Sequence, residues 1–344
     1  MKKNCGEDTG HLVYAGLGAF ARLRPQDSQY DAIGGTGVIY LCVPAVEKYY
    51  ASPYKKESPM TTFFGNTTQL ATVVCGKTNV SLPILYHRDD AFGLYFTADY
   101  ERVKAVMPSD RLHPVVLPGN RAIMAMGIFN YIDTSIGPYG EVAVALPAVF
   151  DKKITAFNGW FPALMESAYP GFGVVVMHLP VTTQDARDAG RREWGYTKFI
   201  ADMRFTITPE YFECRMHEDD RHILDIRVKK RGIYLRNEKS FTTFSVKNGN
   251  LIKTTISQTA TKRVSLKTAG SYLKLGDHPM AESIRRLKIS SRPFMSVYYP
   301  ERSAILPPGK VIEKKVRPLE GHRGVDRKAI HSIEYPGTEK RSIS

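Results

Sequence analysis

The chain has 344 residues, with 48 Lys+Arg against 34 Asp+Glu for a formal charge of +14, and 43% of it is apolar. These globular proportions exclude a disordered chain, a collagen-like repeat and a coiled coil, and no run of about 18 apolar residues is present to span a membrane. The basic residues lie in short groups such as Lys229-Lys230-Arg231 and Arg285-Arg286, without a zinc-finger or RRM signature. They read as a solvated surface attractive to small anions, so neither nucleic acid nor membrane is an expected partner.

Residues 1–78 read as an N-terminal extension of unclear role. Gly16 to Ala21 (GLGAFA) mimics a dinucleotide-binding loop, but Pro25 stops any helix after it and no βαβ unit follows, so it is taken as a Gly-rich turn. The start resembles a leader only superficially, since Glu7, Asp8 and His11 interrupt the basic-then-apolar order that a leader needs. Cys5, Cys42, Cys75 and Cys214 are far apart and show no metal-ligand spacing. That usage predicts a reducing, cytoplasmic compartment with unpaired thiols.

From about residue 80 short apolar segments recur. Leu82–Tyr86 and Phe92–Thr97 are predicted strands joined by a polar turn at His87 to Asp90. Asp99–Val106 is a predicted amphipathic helix stopped by Pro108. Arg121–Tyr131, Glu141–Phe150 and Gly173–Leu179 follow as predicted strands, then Tyr211–Arg215, His222–Lys229, Ser240–Lys247 and Leu251–Thr259 at near-regular spacing. A brief predicted helix at Ala281–Leu287 precedes a last strand at Phe294–Tyr299. The series predicts a mainly β (α+β) fold, an antiparallel sheet closed into a β-barrel with a few short helices. The domain is bounded at 79–310, and residues 311–344 are read as a polar, mobile tail.

Chemistry concentrates in Ala189 to Ala201 (AGRREWGYTKFIA), where Lys198 stands between Trp194, Tyr196 and the apolar run from Phe199. Desolvation in such surroundings disfavours an ammonium, which frees the amine as a nucleophile for Schiff-base formation on a ketone. The competing reading is a lysine that snorkels to the surface.

Four stretches in order resemble the acetoacetate decarboxylase family across roughly residues 80–310. They are Asp99 to Pro108 (DYERVKAVMP) with the strand Ile123 to Met126, Ile136 to Glu141 (IGPYGE), Gly190 to Lys198 (GRREWGYTK), and Leu273 to Ala281 (LKLGDHPMA). The resemblance implies a β-barrel-like fold with a largely apolar cavity. It places Lys198 as the imine-forming residue and Glu141 beside the substrate. A cofactor-independent carboxy-lyase acting on a β-keto acid, in a homo-oligomer, is the implied protein. Two positions depart from the family pattern: Phe199 stands where a second lysine often follows the reactive one, and Thr197 replaces a proline. The family's basic residue of the first strand aligns with Asp89, leaving Arg88 next to it as the carboxylate-binding candidate.

Tyr139, Tyr196, Phe199 and Met126 complete the substrate-binding candidates, and no metal site is expected. Arg192 and Glu193 are expected to pair and order the lysine segment. His178 reads as a core histidine, and Asp277 with His278 as a structural pair. An imine-forming aldolase, dehydratase or hydratase, or a non-catalytic ligand-binding barrel, are the alternatives.

Overall fold

The computed structural model describes residues 63–65, 67–75, 78–152, 169–237, 240–324, 331–334 and 341–342. The Gly-rich turn at Gly16, Cys5, Cys42 and most of the N-terminal extension, residues 1–62 among them, lie outside the described residues. Eleven strands and three helices frame the site. The strands are β1 Ile84–Asp99, β2 Arg121–Thr134, β3 Tyr139–Phe150, β4 Phe172–His178, β5 Asp202–Ile207, β6 Tyr211–Glu218, β7 Arg221–Lys229, β8 Phe241–Lys247, β9 Asn250–Ser265, β10 Tyr272–Leu275 and β11 Met295–Leu306. The helices are α1 Tyr100–Ala105, α2 Gln184–Ala189 and α3 Pro279–Arg286.

Seven strands pair in the order β3-β4-β8-β9-β11-β1-β2, and β2 pairs back onto β3, so the sheet closes into a barrel. All ring contacts are antiparallel except β4 with β8, which run parallel because the second sheet is inserted in the chain between them. That sheet runs β10-β7-β6-β5, continued by His331–Glu334. One face of the barrel wall, carrying Phe92, Leu94, Met126, Val144 and Val175, packs on Phe205, Phe212, Met216 and Ile226 of the second sheet. The Phe92 and Phe212 rings approach to 3.9 Å between centroids.

Local sequence explains the ends of the elements. Asp99 caps α1 through Oδ1, which accepts from Arg102 N–H at 3.0 Å. His278 caps α3, with Nδ1 accepting from Met280 N–H at 3.1 Å and Pro279 in the first helical turn. Between β2 and β3, Gly137 N–H closes a turn on Thr134 O, and Gly137 sits at φ 85, a conformation that favours glycine.

Two sequence-based boundaries are corrected. The polar turn expected at His87 to Asp90 is an irregularity inside the continuous 16-residue strand β1, where its pairing with β2 shifts between Tyr86 and Asp89. The domain does not stop at 310, since Lys310–Lys314 pairs with β9 and His331–Glu334 pairs with β5. Backbone hydrogen bonding across strands outweighs the polar composition that suggested a tail. No helix among the described residues is long and apolar enough to cross a membrane.

Candidate functional site

The β2–β3 turn sets the register of the hairpin, so that Tyr131 lies opposite Tyr139 and Phe129 opposite Glu141. Cross-strand partners share a face, and side chains alternate with period two. The four residues therefore stand together on the barrel face turned away from Met126 and Val144. Strand β1 adds Asp89, opposite Tyr131. Tyr86 is three residues before Asp89, an odd spacing that would face the other way in a regular strand. The irregularity in β1 brings it to the same side, with its ring centroid 4.5 Å from that of Tyr131.

Lys198 arrives from an extended segment beyond α2. After α2 the backbone widens into a single π turn over Gly190–Trp194 and ends at Gly195 with φ 70. Residues 196–201 then run beside Leu179 and Val181, held by Leu179 N–H to Thr197 O and Val181 N–H to Phe199 O. Alternation along this segment puts Tyr196, Lys198 and Ile200 on one side and Thr197, Phe199 and Ala201 on the other. Arg191 Nε donates to Lys198 O at 2.7 Å and another of its N–H groups to Arg323 O. The expected Arg192–Glu193 pair is not what holds the lysine segment; Arg192 is exposed, and Arg191 does that work through the backbone.

Gly190 has ordinary helical angles, φ −64 and ψ −40, so its lack of a side chain serves space and not conformation. A Cβ there would lie 2.4 Å from Lys198 Cε and 2.5 Å from Cδ. The lysine stem fills the place where that methyl would be.

Lys198 and Glu141 are both buried, and Nζ donates to Oε2 at 2.7 Å. Tyr131 OH donates to the other oxygen, Oε1, at 3.3 Å. Tyr86 and Tyr139 share a hydrogen bond between their hydroxyls at 3.1 Å, and the Tyr139 ring centroid is 5.6 Å from Nζ. Burial, with the Glu141 charge adding, holds all three phenols well above the ordinary tyrosine value, so they remain neutral donors. The carboxylate–ammonium pair thus sits in an aromatic enclosure of Tyr86, Tyr131, Tyr139 and Phe129. Two open surface clefts, one at Leu273 and Arg285 and one at Thr197 and Arg323, are lined by neither Lys198 nor Glu141.

Of the other candidates, Tyr139 joins this group directly. Tyr196 is on the lysine side, with its hydroxyl 2.7 Å from Thr243 Oγ1 and its ring stacked on Trp194 at 6.2 Å. Met126 is not brought there; it pairs with Leu94 and Val144 in the opposite core. Phe199 points away from Lys198, stacking on His278 at 6.1 Å and meeting His322 edge-on at 4.8 Å. Arg88 is exposed. The buried cation that meets Asp89 is instead Arg302 of β11, whose Nη1 donates to Asp89 Oδ2, whose Nε donates to Gln258 Oε1 at 3.2 Å, and whose guanidinium lies 5.2 Å from the Phe129 ring centroid. Tyr86, Tyr131, Arg302 and Gly190 are absent from the sequence-based list. Alternation of Phe129 and Tyr131 could have placed Tyr131 beside Glu141, whereas Arg302 needs the long-range pairing of β11.

Glu218, His278 and His322 place three potential ligand atoms within 4.8 Å of one another. His278 Nδ1 accepts a backbone N–H, so Nε2 carries the ring proton and donates to Glu218 Oε2 at 2.8 Å. Without a free lone pair at that nitrogen the group fits a hydrogen-bonded cluster, not a metal ion. Asp277 is outside it.

The sequence matches the family described as Acetoacetate decarboxylase (ADC) over residues 76–316, while no curated protein matches it. Among solved structures the fold is similar to an acetoacetate decarboxylase at 17% identity, covering 67% of this chain and 90% of that one with a TM-score of 0.50. It is also similar to the acetoacetate decarboxylase of Legionella pneumophila subsp. pneumophila str. Philadelphia 1, at 15% identity, 76% and 98% coverage and a TM-score of 0.51. The enduracididine biosynthesis enzyme MppR, complexed with pyruvate, shares 9% identity over 73% of this chain and 94% of its own, at a TM-score of 0.50. Identities this low speak for a common fold. The family match, which spans well over half of the chain and includes both Glu141 and Lys198, establishes that this protein belongs to the acetoacetate decarboxylase family.

Proposed function

We propose that the protein is a Schiff-base lyase that decarboxylates a β-keto acid, acetoacetate or a bulkier relative, through an imine on Lys198. The observation that carries the reading is the buried contact between Lys198 Nζ and Glu141 Oε2. An ammonium must lose a proton before it can attack a ketone, and Glu141 is in place to accept it. The amine then adds to the keto carbon, the carbonyl oxygen leaves as water, and a protonated imine forms. Cleavage of the bond to the carboxylate sends its electron pair into the imine, releasing carbon dioxide and leaving an enamine. Return of a proton to carbon and hydrolysis regenerate the lysine. Tyr131, bonded to the second oxygen of Glu141, fixes the carboxylate in orientation. These steps call for no cofactor.

The test is borohydride reduction in the presence of acetoacetate, followed by intact mass and peptide mapping, with carbon dioxide release and product NMR in parallel. An adduct on Lys198, with both adduct and turnover lost in Lys198→Ala, is the expected result. Turnover that survives Lys198→Ala overturns the reading. An adduct without carbon dioxide points to condensation or dehydration by the same imine.

A further inference from the structure

We propose that Asp89 forms a second binding point beside Lys198, and that the substrate is a keto acid bearing a neutral hydrogen-bond donor such as a hydroxyl on the chain beyond the keto group. The inference rests on the imine reading above and extends it to the class of substrate. The Asp89 side chain is fully buried. Its Oδ2 accepts from Arg302, but its Oδ1 is shut off from solvent with no hydrogen-bond partner. Buried polar atoms are almost always paired, and a carboxylate oxygen can only accept, so the partner it lacks is a donor.

Position connects this oxygen to the lysine. Asp89 is opposite Tyr131 across β1 and β2, Ala91 is opposite Phe129, and Phe129 is opposite Glu141. Asp89 and Glu141 are therefore on one face, two strands apart, about 10 Å laterally at the usual spacing. Tyr131 spans the gap, with its hydroxyl on Glu141. A ligand held as an imine at Lys198 would extend a few carbons past the Tyr131 and Phe129 rings towards Asp89.

Charge selects what it carries there. Arg302 already balances Asp89, so a cationic group would add an unpaired charge to a buried site, and an anionic group would meet a carboxylate oxygen. A neutral hydroxyl satisfies Oδ1 without disturbing the pair. An ether oxygen of the same size cannot, because it has no proton to donate.

The experiment uses the full chain at pH 7.5 and borohydride trapping with three acids that share one six-carbon backbone: 3-oxohexanoate, 6-hydroxy-3-oxohexanoate and 6-methoxy-3-oxohexanoate. Half-maximal labelling of Lys198 is expected at about tenfold lower concentration for the hydroxyl acid than for the other two. In Asp89→Asn, whose amide oxygen faces Arg302 and leaves a donor in place of the acceptor, the gap between hydroxyl and methoxy acids should close. Equal labelling by all three acids in the unaltered protein overturns the Asp89 subsite and leaves the imine standing. Labelling by none of them, nor by acetoacetate, overturns the imine and the subsite with it. Should Asp89→Asn not fold, the comparison of acids on the unaltered protein decides alone.

Discussion

Lys198 Nζ and Glu141 Oε2 meet at 2.7 Å across 57 positions of sequence, one from an extended segment after a π turn, the other from the start of a barrel strand. Replacing Glu141 with Gln keeps the shape and the contact with Tyr131 but removes the proton acceptor. The rate of adduct formation at Lys198, measured on folded protein, should fall about 10²-fold or more, and the thermal midpoint should drop as well because the buried Lys198 loses its counter-charge. Time-resolved borohydride quenching reads the rate, and an unaltered rate would remove Glu141 from the proton transfer.

Gly190→Ala tests whether the lysine stem needs the space at that position. The backbone tolerates alanine, yet the new methyl would lie 2.4 Å from Lys198 Cε. The expected outcome is at least a tenfold loss of labelling at Lys198, with a stability cost of about 1–3 kcal/mol from overpacking. Labelling at the original rate would mean that the lysine has another route into the site.

The Asp89–Arg302 pair is buried on both sides, so removing one partner strands the other. Arg302→Met should cost about 3–5 kcal/mol, measured by urea unfolding, and adding Asp89→Leu should recover at least half of that loss. Additive losses would show that each residue is held by other contacts.

His178 is buried at the end of β4, with Nε2 2.6 Å from Ser283 Oγ. Burial, with His322 and His278 nearby, lowers its pKa to about 3 from the ordinary 6.5. The unfolded chain therefore binds a proton that the folded one refuses. Stability from this group is complete above about pH 6.5 and drains away as pH falls towards 3. At pH 5 the loss is roughly 2 kcal/mol, at about 1.4 kcal/mol per pH unit. His178→Gln should flatten the stability profile between pH 7.5 and 5 by that amount, and an unchanged slope would place the titration elsewhere.

Much of the site was legible in the linear order. The segment from Gly190 to Lys198 and the turn before Glu141 are local patterns, fixed by residues within a few positions of one another. Phe199 and Met126 were misplaced because a side chain's neighbourhood depends on parity along a strand. Phe199 is next to Lys198 in sequence and on the opposite side in space, against His278 and His322. Met126 lies three residues before Phe129 and faces the other core.

The sequence by itself determined that strands would form and close into a barrel, because periodicity and turn residues act over short distances, while the resemblance of its motifs to a known family singled out Lys198 and Glu141 as the expected pair. Tertiary structure decided what surrounds that pair. The irregular pairing at Tyr86 to Asp89 turns both side chains to one face, and the pairing of β11 with β1 and β9 brings Arg302 in while leaving Arg88 outside. Register between distant strands is set by the whole closed sheet, and no local pattern encodes it.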